Sequence, residues 1–490
     1  MKILFYYNSV YHAGIAQLSS FLKFHGHTTE LLFDPAIGSN HYINLPFLNT
    51  FISKKLLIEK AKRFNPDLVA FSFVTNQFQD VIEIGKLLKM ELKVPFIAGG
   101  IHPTILPDEV IKEDWLDILC IGEGEEALLE LANNLEQKKD ISNIQNLWVK
   151  NNDGTITKNP LRPLIKDLDT LPFCDMELFD KYGLIYSRID IFTGRGCMNS
   201  CSFCINSFKN KLFQSKQFLR RRSVDNVIEE MILIEKKYNP RQYRFLDDTF
   251  AYDSNWLKNF AREYSMKINK PYRCTVHPGI ATPEIIELLG KSNCKSVTMG
   301  FQSASPRIRS EIMNRHYSNE KVADIACCMK KNKIKLSIDL IFGMPTETPL
   351  EMWETLDICD KIDITSITPS FFYPFPNTTL TNYCLEHNFI NQQTYQKIIK
   401  GVGSYHTTFL LDHPYRDEVM KFQAVIAMYN KVPLFLKKFL RRILKWKYGR
   451  THRLFHFLSV PFNEFYEFRR RILMIPFSLI KTRRVLMKKD

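Results

Sequence analysis

At 490 residues the chain exceeds one ordinary hydrophobic core and predicts about three domains. Hydrophobic residues at 45% and charged residues at 24% exclude a disordered chain and a fibre. The net charge of +15 is lopsided: residues 431–490 hold 17 Lys and Arg against 3 Asp and Glu, which leaves the rest close to neutral. No apolar run reaches the roughly 18 residues of a membrane span, and Met1-Lys2 leads straight into Ile3–Tyr7 without a signal-peptide pattern. A cytoplasmic protein is expected. Eleven cysteines, an odd and mostly scattered number, argue against a disulfide framework.

In chain order, strand and helix signals alternate over the first 135 residues or so. Ile3–Tyr7, Leu68–Phe73, Val94–Gly100 and Ile118–Ile121 read as buried strands, each followed by a polar or glycine turn and a helix. Such alternation predicts a parallel sheet with ligands at the carboxyl ends of its strands. Residues 146–185 read as a connector, with a hairpin turn at Asn152-Asp153-Gly154 and then Pro160, Pro163 and Pro172. From about residue 188 the alternation resumes. Ile189–Thr193, Tyr243–Leu246, Tyr272–Val276, Ser296–Phe301, Lys335–Phe342 and Ile364–Phe372 give six strand–helix units, a partial or complete barrel.

The fold class is therefore α/β. A Rossmann-like doubly wound parallel sheet (1–145) and a linker (146–185) precede a partial (β/α)6 barrel (186–400) and a helical, basic C-terminal region (401–490). In that last region Leu434, Phe435, Leu436, Phe439, Leu440, Ile443, Leu444 and Trp446 interleave with Lys437, Lys438, Arg441, Arg442, Lys445 and Lys447. A second set runs through Phe465, Tyr466, Phe468, Ile472, Leu473 and Ile475 with Arg469, Arg470 and Arg471. Helical spacing gathers many of the apolar residues on one face. Three readings follow: a helix packed on the barrel with a solvated face, peripheral contact with an anionic membrane, or, least favoured, RNA contact.

The chemistry is concentrated in Cys197-Met198-Asn199-Ser200-Cys201-Ser202-Phe203-Cys204, directly after Thr193-Gly194-Arg195-Gly196. Cys197, Cys201 and Cys204 are close enough in sequence to hold three irons of one [4Fe-4S] cubane, leaving the fourth open for a substrate's amino and carboxylate groups. Zinc normally takes four ligands from two separated pairs, and no second Cys or His pair has suitable spacing. The flanking glycines are expected to let the backbone wrap closely round the cluster, and Phe203 to shield it or stack near an adenine.

C-x3-C-x2-C on the first loop of a β/α barrel resembles the radical S-adenosylmethionine superfamily. Several downstream blocks resemble that family's cofactor segments. In Phe245-Leu246-Asp247-Asp248 the resemblance implies that the paired Asp247 and Asp248 lie near the cofactor's amino group. In Gly300-Phe301-Gln302-Ser303 it implies that Gln302 and Ser303 approach the ribose, Gln302 replacing the usual Glu. Ile341-Phe342-Gly343-Met344-Pro345-Thr346-Glu347 resembles the fifth-strand turn, with Gly343 as a cofactor residue, and Phe375-Pro376-Asn377 the sixth, where a Gly is more usual than Asn377.

The front of the chain resembles the cobalamin-binding domain fused to one subgroup of that superfamily. This implies cobalamin contacts at Gly14, Ser72, Gly99, Gly100, Gly122 and Glu123. There is no Asp-x-His-x-x-Gly sequence; His12 lies in the corresponding loop without the Asp, so no histidine is expected on cobalt. The resemblance implies reductive cleavage of S-adenosylmethionine to a 5′-deoxyadenosyl radical and methylation of an unactivated carbon through cobalamin. A flavodoxin or ferredoxin would supply electrons, and the substrate would be a small molecule or a lipid; nucleic acid is not the expected partner. No side chain is singled out as catalytic in its own right. Two alternatives stand beside this: a non-methylating radical cyclase or rearrangement enzyme on a lipid or tetrapyrrole, and a cobalamin- or RNA-binding module with a structural cluster. An RNA methylthiotransferase fits poorly, since residues 1–150 offer only Cys120 where a second cluster needs three cysteines.

Overall fold

The computed structural model describes residues 1–8, 11–35, 53–185, 187–214, 218–406, 408–429, 432–446, 449 and 480–487. In the front domain, β1 (Lys2–Asn8), β2 (Thr28–Asp34), β3 (Leu68–Ser72), β4 (Phe96–Gly99) and β5 (Ile118–Cys120) are parallel, in the order β2-β1-β3-β4-β5. Alternate residues of β1 serve two cores. Ile3, Phe5 and Tyr7 face one and Leu4 and Tyr6 the other, as the period of two in a strand requires. Helices Ala13–Phe24 and Glu125–Glu136 cover the first face, and Lys54–Phe64 and Phe78–Glu91 the second. The strand order reverses between β1 and β3, the topological switch point at which such sheets open a ligand crevice.

The hairpin expected in the connector belongs to this sheet. β6 (Leu147–Lys150) and β7 (Ile156–Lys158) extend it antiparallel beyond β5, with Leu119 opposite Trp148. The front domain therefore runs past residue 145. β5 is only three residues long, and its outer edge would expose unpaired backbone groups without the hairpin. β2, which the sequence reading missed, begins with two threonines and ends in Asp34, a weak strand signal.

The second domain has six parallel strands in chain order: β8 (Arg188–Ile191), β11 (Gln242–Phe245), β12 (Tyr272–Val276), β13 (Cys294–Gln302), β14 (Lys335–Phe342) and β15 (Ser366–Phe371). β9 (Gly194–Arg195) and β10 (Arg220–Arg221) form a small antiparallel ribbon at its mouth. Among the described residues β15 does not pair with β8, so the barrel is open. Burial alternates along each strand: Tyr272, Cys274 and Val276 on β12 and Leu336, Ile338, Leu340 and Phe342 on β14 belong to the core between the sheet and its covering helices, where Tyr272 meets Phe260 and Tyr264 and Phe342 meets Phe422.

Behind the barrel, helix Arg416–Tyr429 packs on β15 and helix Leu434–Leu444 packs on that helix. A final helical stretch, 480–487, returns to the front domain, where Leu486 is buried and its carbonyl accepts a hydrogen bond from Arg63. The second basic–apolar set, Phe465 to Ile475, lies outside the described residues. No helix among the described residues is long and apolar enough to cross a membrane.

Gly85 sits mid-helix in Phe78–Glu91, where glycine costs about 1 kcal/mol relative to alanine. The Trp115 indole lies against it: a Cβ there would fall 2.6 Å from Trp115 Cδ2. Gly85→Val is expected to lower unfolding free energy by about 1–3 kcal/mol through overpacking, read as a shift of the urea midpoint at unchanged slope.

Candidate functional site

The cysteine loop leaves the end of β8 through Thr193 and the β9–β10 ribbon. The flanking glycines let the two strands of that ribbon approach closely. A Cβ on Gly194 would lie 2.6 Å from the Arg220 carbonyl oxygen, and one on Gly196 (φ +93°) 2.6 Å from that of Phe218. The loop is fastened from three sides. Asn210 Nδ2 donates to the carbonyls of Cys197 and Asn199, both at 3.2 Å. Ser202 N donates to Met313 O (3.0 Å), and Leu380 N donates to Ser202 O (3.0 Å).

Cys197 and Cys201 are buried and Cys204 half-buried. Burial, with the charges of Cys201, Asp248 and Cys197, pushes the Cys204 thiol up to about 12 despite a backbone hydrogen bond at Asn206. Iron would supply the positive charge that a thiolate here needs. Cys201 Sγ already accepts a hydrogen bond from Arg315 Nη1 (3.3 Å), and Cys197 Sγ from the Asn199 backbone N–H (3.5 Å). Among the described residues no three His, Cys, Asp or Glu side chains converge as on a single ion. A cubane takes each thiolate on a different iron, so this donor set, three thiols with no fourth ligand, fits a cluster with one open iron.

The other expected cofactor residues divide into two groups. Asp247 is turned inward: its carboxylate accepts from the Thr193 backbone N–H (3.1 Å) and hydroxyl (2.8 Å), holding β11 to the end of β8. Burial raises it to about 6, against the charge of Arg221 and the Thr193 hydrogen bonds. Asp248 alone of the pair lines the cavity described below. Ser303 is fully buried, and its hydroxyl caps the local turn by accepting from Ser305 N (3.2 Å). Gly343 (φ +78°) faces the C-terminal region, where a Cβ would lie 2.4 Å from Phe409. Phe203 packs on the barrel core and is not among the residues lining the cavity. Each of these four has a packing or fastening role in the fold.

Gln302 is different. It ends β13 in a left-handed conformation (φ +68°), and its Oε1 is buried with no hydrogen-bond partner among the described residues. A buried amide oxygen left open is costly unless a ligand satisfies it. A Cβ at Gly300 would lie 2.7 Å from Gln302 Nε2, so a side chain there would displace the Gln302 amide. Glu347 Oε2 accepts from the N–H groups of Gly343 (2.7 Å) and Met344 (3.2 Å), while burial outweighs these bonds and raises the carboxyl to about 8. Asn377 takes the left-handed conformation (φ +61°) expected of a glycine there, and its amide donates to the Ile105 carbonyl of the front domain.

A cavity of about 490 Å³ lies between the two domains. Gly14, Ser72, Gly99, Gly100, Gly122 and Glu123 all line it, and so do Gly194, Gly196 and Asp248 from the barrel side. Gly100 (φ +104°) is required because a Cβ would meet the Phe73 carbonyl oxygen at 2.9 Å. Glu123, read as a cofactor contact, is engaged by the barrel. Arg195 Nη1 and Arg220 Nη2 each donate to its Oε1 at 2.7 Å, and Arg195 Nη2 donates to Glu125 at 2.5 Å. Burial would raise the Glu123 carboxyl, but Arg220 and Arg195 outweigh it and hold it at about 2. His12 Nδ1 accepts from Ile15 N (3.1 Å) as a helix cap, and burial lowers the ring to about 4, so it is neutral. The buried Tyr11 hydroxyl, also lining the cavity, has no hydrogen-bond partner among the described residues. An apolar, glycine-floored cleft at the switch point of a doubly wound sheet fits a large flat ligand such as a corrin.

The sequence reading missed Arg195, Arg220 and Arg315. Arg195 carried a signal in its two flanking glycines; Arg315 carried none, since its target is distant in sequence.

Comparison with known proteins agrees with both halves. The Radical SAM superfamily matches residues 191–359 and the B12 binding domain residues 6–132. An uncharacterized methyltransferase of Pyrococcus horikoshii is 28% identical over 348 residues, covering 69% of this chain and 73% of the relative. The cytidylyl-2-hydroxyethylphosphonate methyltransferase of Streptomyces wedmorensis is 21% identical, covering 78% and 79%. Among solved structures, the radical S-adenosylmethionine methyltransferase TsrM of Kitasatospora setae, with cobalamin and a [4Fe-4S] cluster bound, superposes with a TM-score of 0.64. It is 18% identical, with 79% of this chain and 75% of that one covered.

Glu123→Gln takes the carboxylate from Arg220 and leaves Arg195, which is 27% exposed, with Glu125 alone, and is expected to cost about 1–3 kcal/mol. The depressed Glu123 carboxyl gives stability that is present above the unfolded value of about 4.3 and lost as pH falls toward its folded value of about 2. The variant should therefore show a shallower acid-side decline in melting temperature. Arg315→Met removes a cationic donor from Cys201, and the reduced cluster carries the extra negative charge. Its reduction potential is expected to fall by about 60 mV, tenfold in a one-electron equilibrium, in a titration followed by electron paramagnetic resonance.

Proposed function

We propose that this chain, a member of the radical SAM superfamily with a B12-binding domain at its front, is a cobalamin-dependent methyltransferase acting on an unactivated carbon of a small molecule or lipid. The carrying observation is the shared cavity. Front-domain glycines at strand ends and barrel residues flanking the cysteine loop line one space, so a corrin and a cluster-bound S-adenosylmethionine would face a common substrate. The bound groups supply one-electron cleavage of S-adenosylmethionine and carriage of the methyl group.

The chain's own residues hold, orient and exclude water. Cys197, Cys201 and Cys204 hold three irons, and Arg315 donates a charge-assisted hydrogen bond to Cys201. The open Oε1 of Gln302 accepts a hydrogen bond from a hydroxyl of the nucleoside, in place of a carboxylate. Asp248, on the cavity wall, accepts from the cofactor's ammonium group. Phe5, Phe71, Ile97, Phe192 and Leu246 give the cavity apolar walls that keep water from reactive species. His12 stays neutral and engaged as a cap, which supports a cobalt without a histidine from this loop. Electrons come from a flavodoxin- or ferredoxin-type donor.

The test is anaerobic reconstitution with iron, sulfide, cobalamin, S-adenosylmethionine and reductant, with mass spectrometry of products against small-molecule pools and lipid extracts. Methylated product together with S-adenosylhomocysteine is expected from the wild type, and loss of both from Cys201→Ala. 5′-Deoxyadenosine without either would replace methylation with a cyclase or rearrangement reaction. Unchanged function in Cys201→Ala would make the cluster structural.

A further inference from the structure

Helix Leu434–Leu444 has two unlike sides. Leu440, Ile443 and Leu444 are buried against the barrel core. Next to them Arg441 donates to Tyr429 Oη (2.8 Å), Asp357 (2.7 Å) and Asp360 (2.8 Å), and Lys437 pairs with Asp360 (3.5 Å). That side is saturated.

The outward side is not. Phe435 is 70% exposed, Phe439 46% and Trp446 49%, at steps of four and seven residues that place them along one stripe. Lys438 and Arg442 fall in the same stripe and line a recess with Phe435 and Phe439. Both cations are exposed, and among the described residues neither has an acidic partner. Large rings and unpaired cations on one exposed helix face mark an interaction surface.

We propose that this face docks on an anionic phospholipid bilayer, the rings entering the boundary between headgroups and acyl chains while Lys438, Arg442 and Lys445 meet lipid phosphates. Charge selects this occupant. Residues 447–490 hold 11 Lys and Arg against 3 Asp and Glu, so like charge opposes the chain's own tail folding over the stripe. The same repulsion opposes a second copy meeting this face with its own. A nucleic acid would satisfy the cations yet leave Phe435 and Phe439, which no base pocket surrounds, without an apolar medium. Docked in this way, the chain would hold its active cavity beside a membrane, which suits a lipid among the proposed substrates but does not depend on that reading.

The test uses the full chain and vesicle flotation, with phosphatidylcholine alone against phosphatidylcholine mixed with phosphatidylglycerol. The wild type is expected to float with the anionic vesicles and stay behind with the neutral ones. Phe435→Glu/Phe439→Glu and Lys438→Glu/Arg442→Glu are each expected to weaken anionic-vesicle binding about tenfold or more. Circular dichroism and the absorption spectrum of the reconstituted cluster should be unchanged, which separates lost docking from lost folding. Phe435→Ala/Phe439→Ala, which adds no charge, should show an intermediate loss. Wild-type protein that stays unbound with anionic vesicles overturns the proposal. So do variants that float equally well, or a mobility shift of single-stranded RNA that needs Lys438 and Arg442 when vesicles are not bound.

Discussion

Arg195 is the point at which the two domains become one site. It stands between two glycines, two residues before the first cysteine of the loop, and its guanidinium crosses to Glu123 and Glu125 at the end of the front sheet. Arg220, its neighbour across the β9–β10 ribbon, reaches the same carboxylate. Buried ion pairs contribute little net stability against a well-packed apolar alternative, because desolvation of both charges offsets their attraction. What this one provides is register. Any displacement of the front sheet along the barrel mouth would strand two guanidinium groups in a poorly hydrated cleft, so the cavity's two walls keep a fixed separation.

That constraint sorts the polar residues round the barrel mouth. Several polar side chains there hold strands and turns: Asp247 on Thr193, Ser303 on Ser305, Glu347 on the turn at Gly343. Two others stand open toward a ligand. Gln302 Oε1 is buried without a partner, and Asp248 stands on the cavity wall. A buried acceptor left open in this way is a place that a ligand can fill.

Much of the architecture was legible from local pattern. The six barrel strands are apolar at alternate positions, whereas Gly14, Ser72, Gly99, Gly100 and Gly122 were named through the family resemblance, and all five line the cavity. Local pattern does not assign what each polar residue points at. Asp247 and Asp248 are adjacent and chemically alike, yet in the loop after β11 one bonds Thr193 and the other lines the cavity. Glu123 read as a cofactor contact because its partners lie 72 and 97 residues away. The hairpin at Asn152–Gly154 was seen as a turn, but that its strands complete the front sheet depends on the free edge of β5, a tertiary fact. Arg315 was invisible for the same reason: its significance lies in Cys201, 114 residues earlier.

The β6–β7 hairpin has a consequence for how copies of this chain meet one another. A parallel sheet ending at β5 would present a short, flat, apolar edge able to recruit a strand from a neighbour. The hairpin moves that boundary outward to Ile156–Lys158, where Lys158 lies over the Trp148 ring (4.2 Å) and pairs with Asp108 (2.5 Å). A charged, three-residue margin is a poor template for further pairing. Colloidal behaviour on this flank is thereby decoupled from the sheet that cradles the cofactor, and the front domain can keep apolar strands inside without offering them for polymerisation.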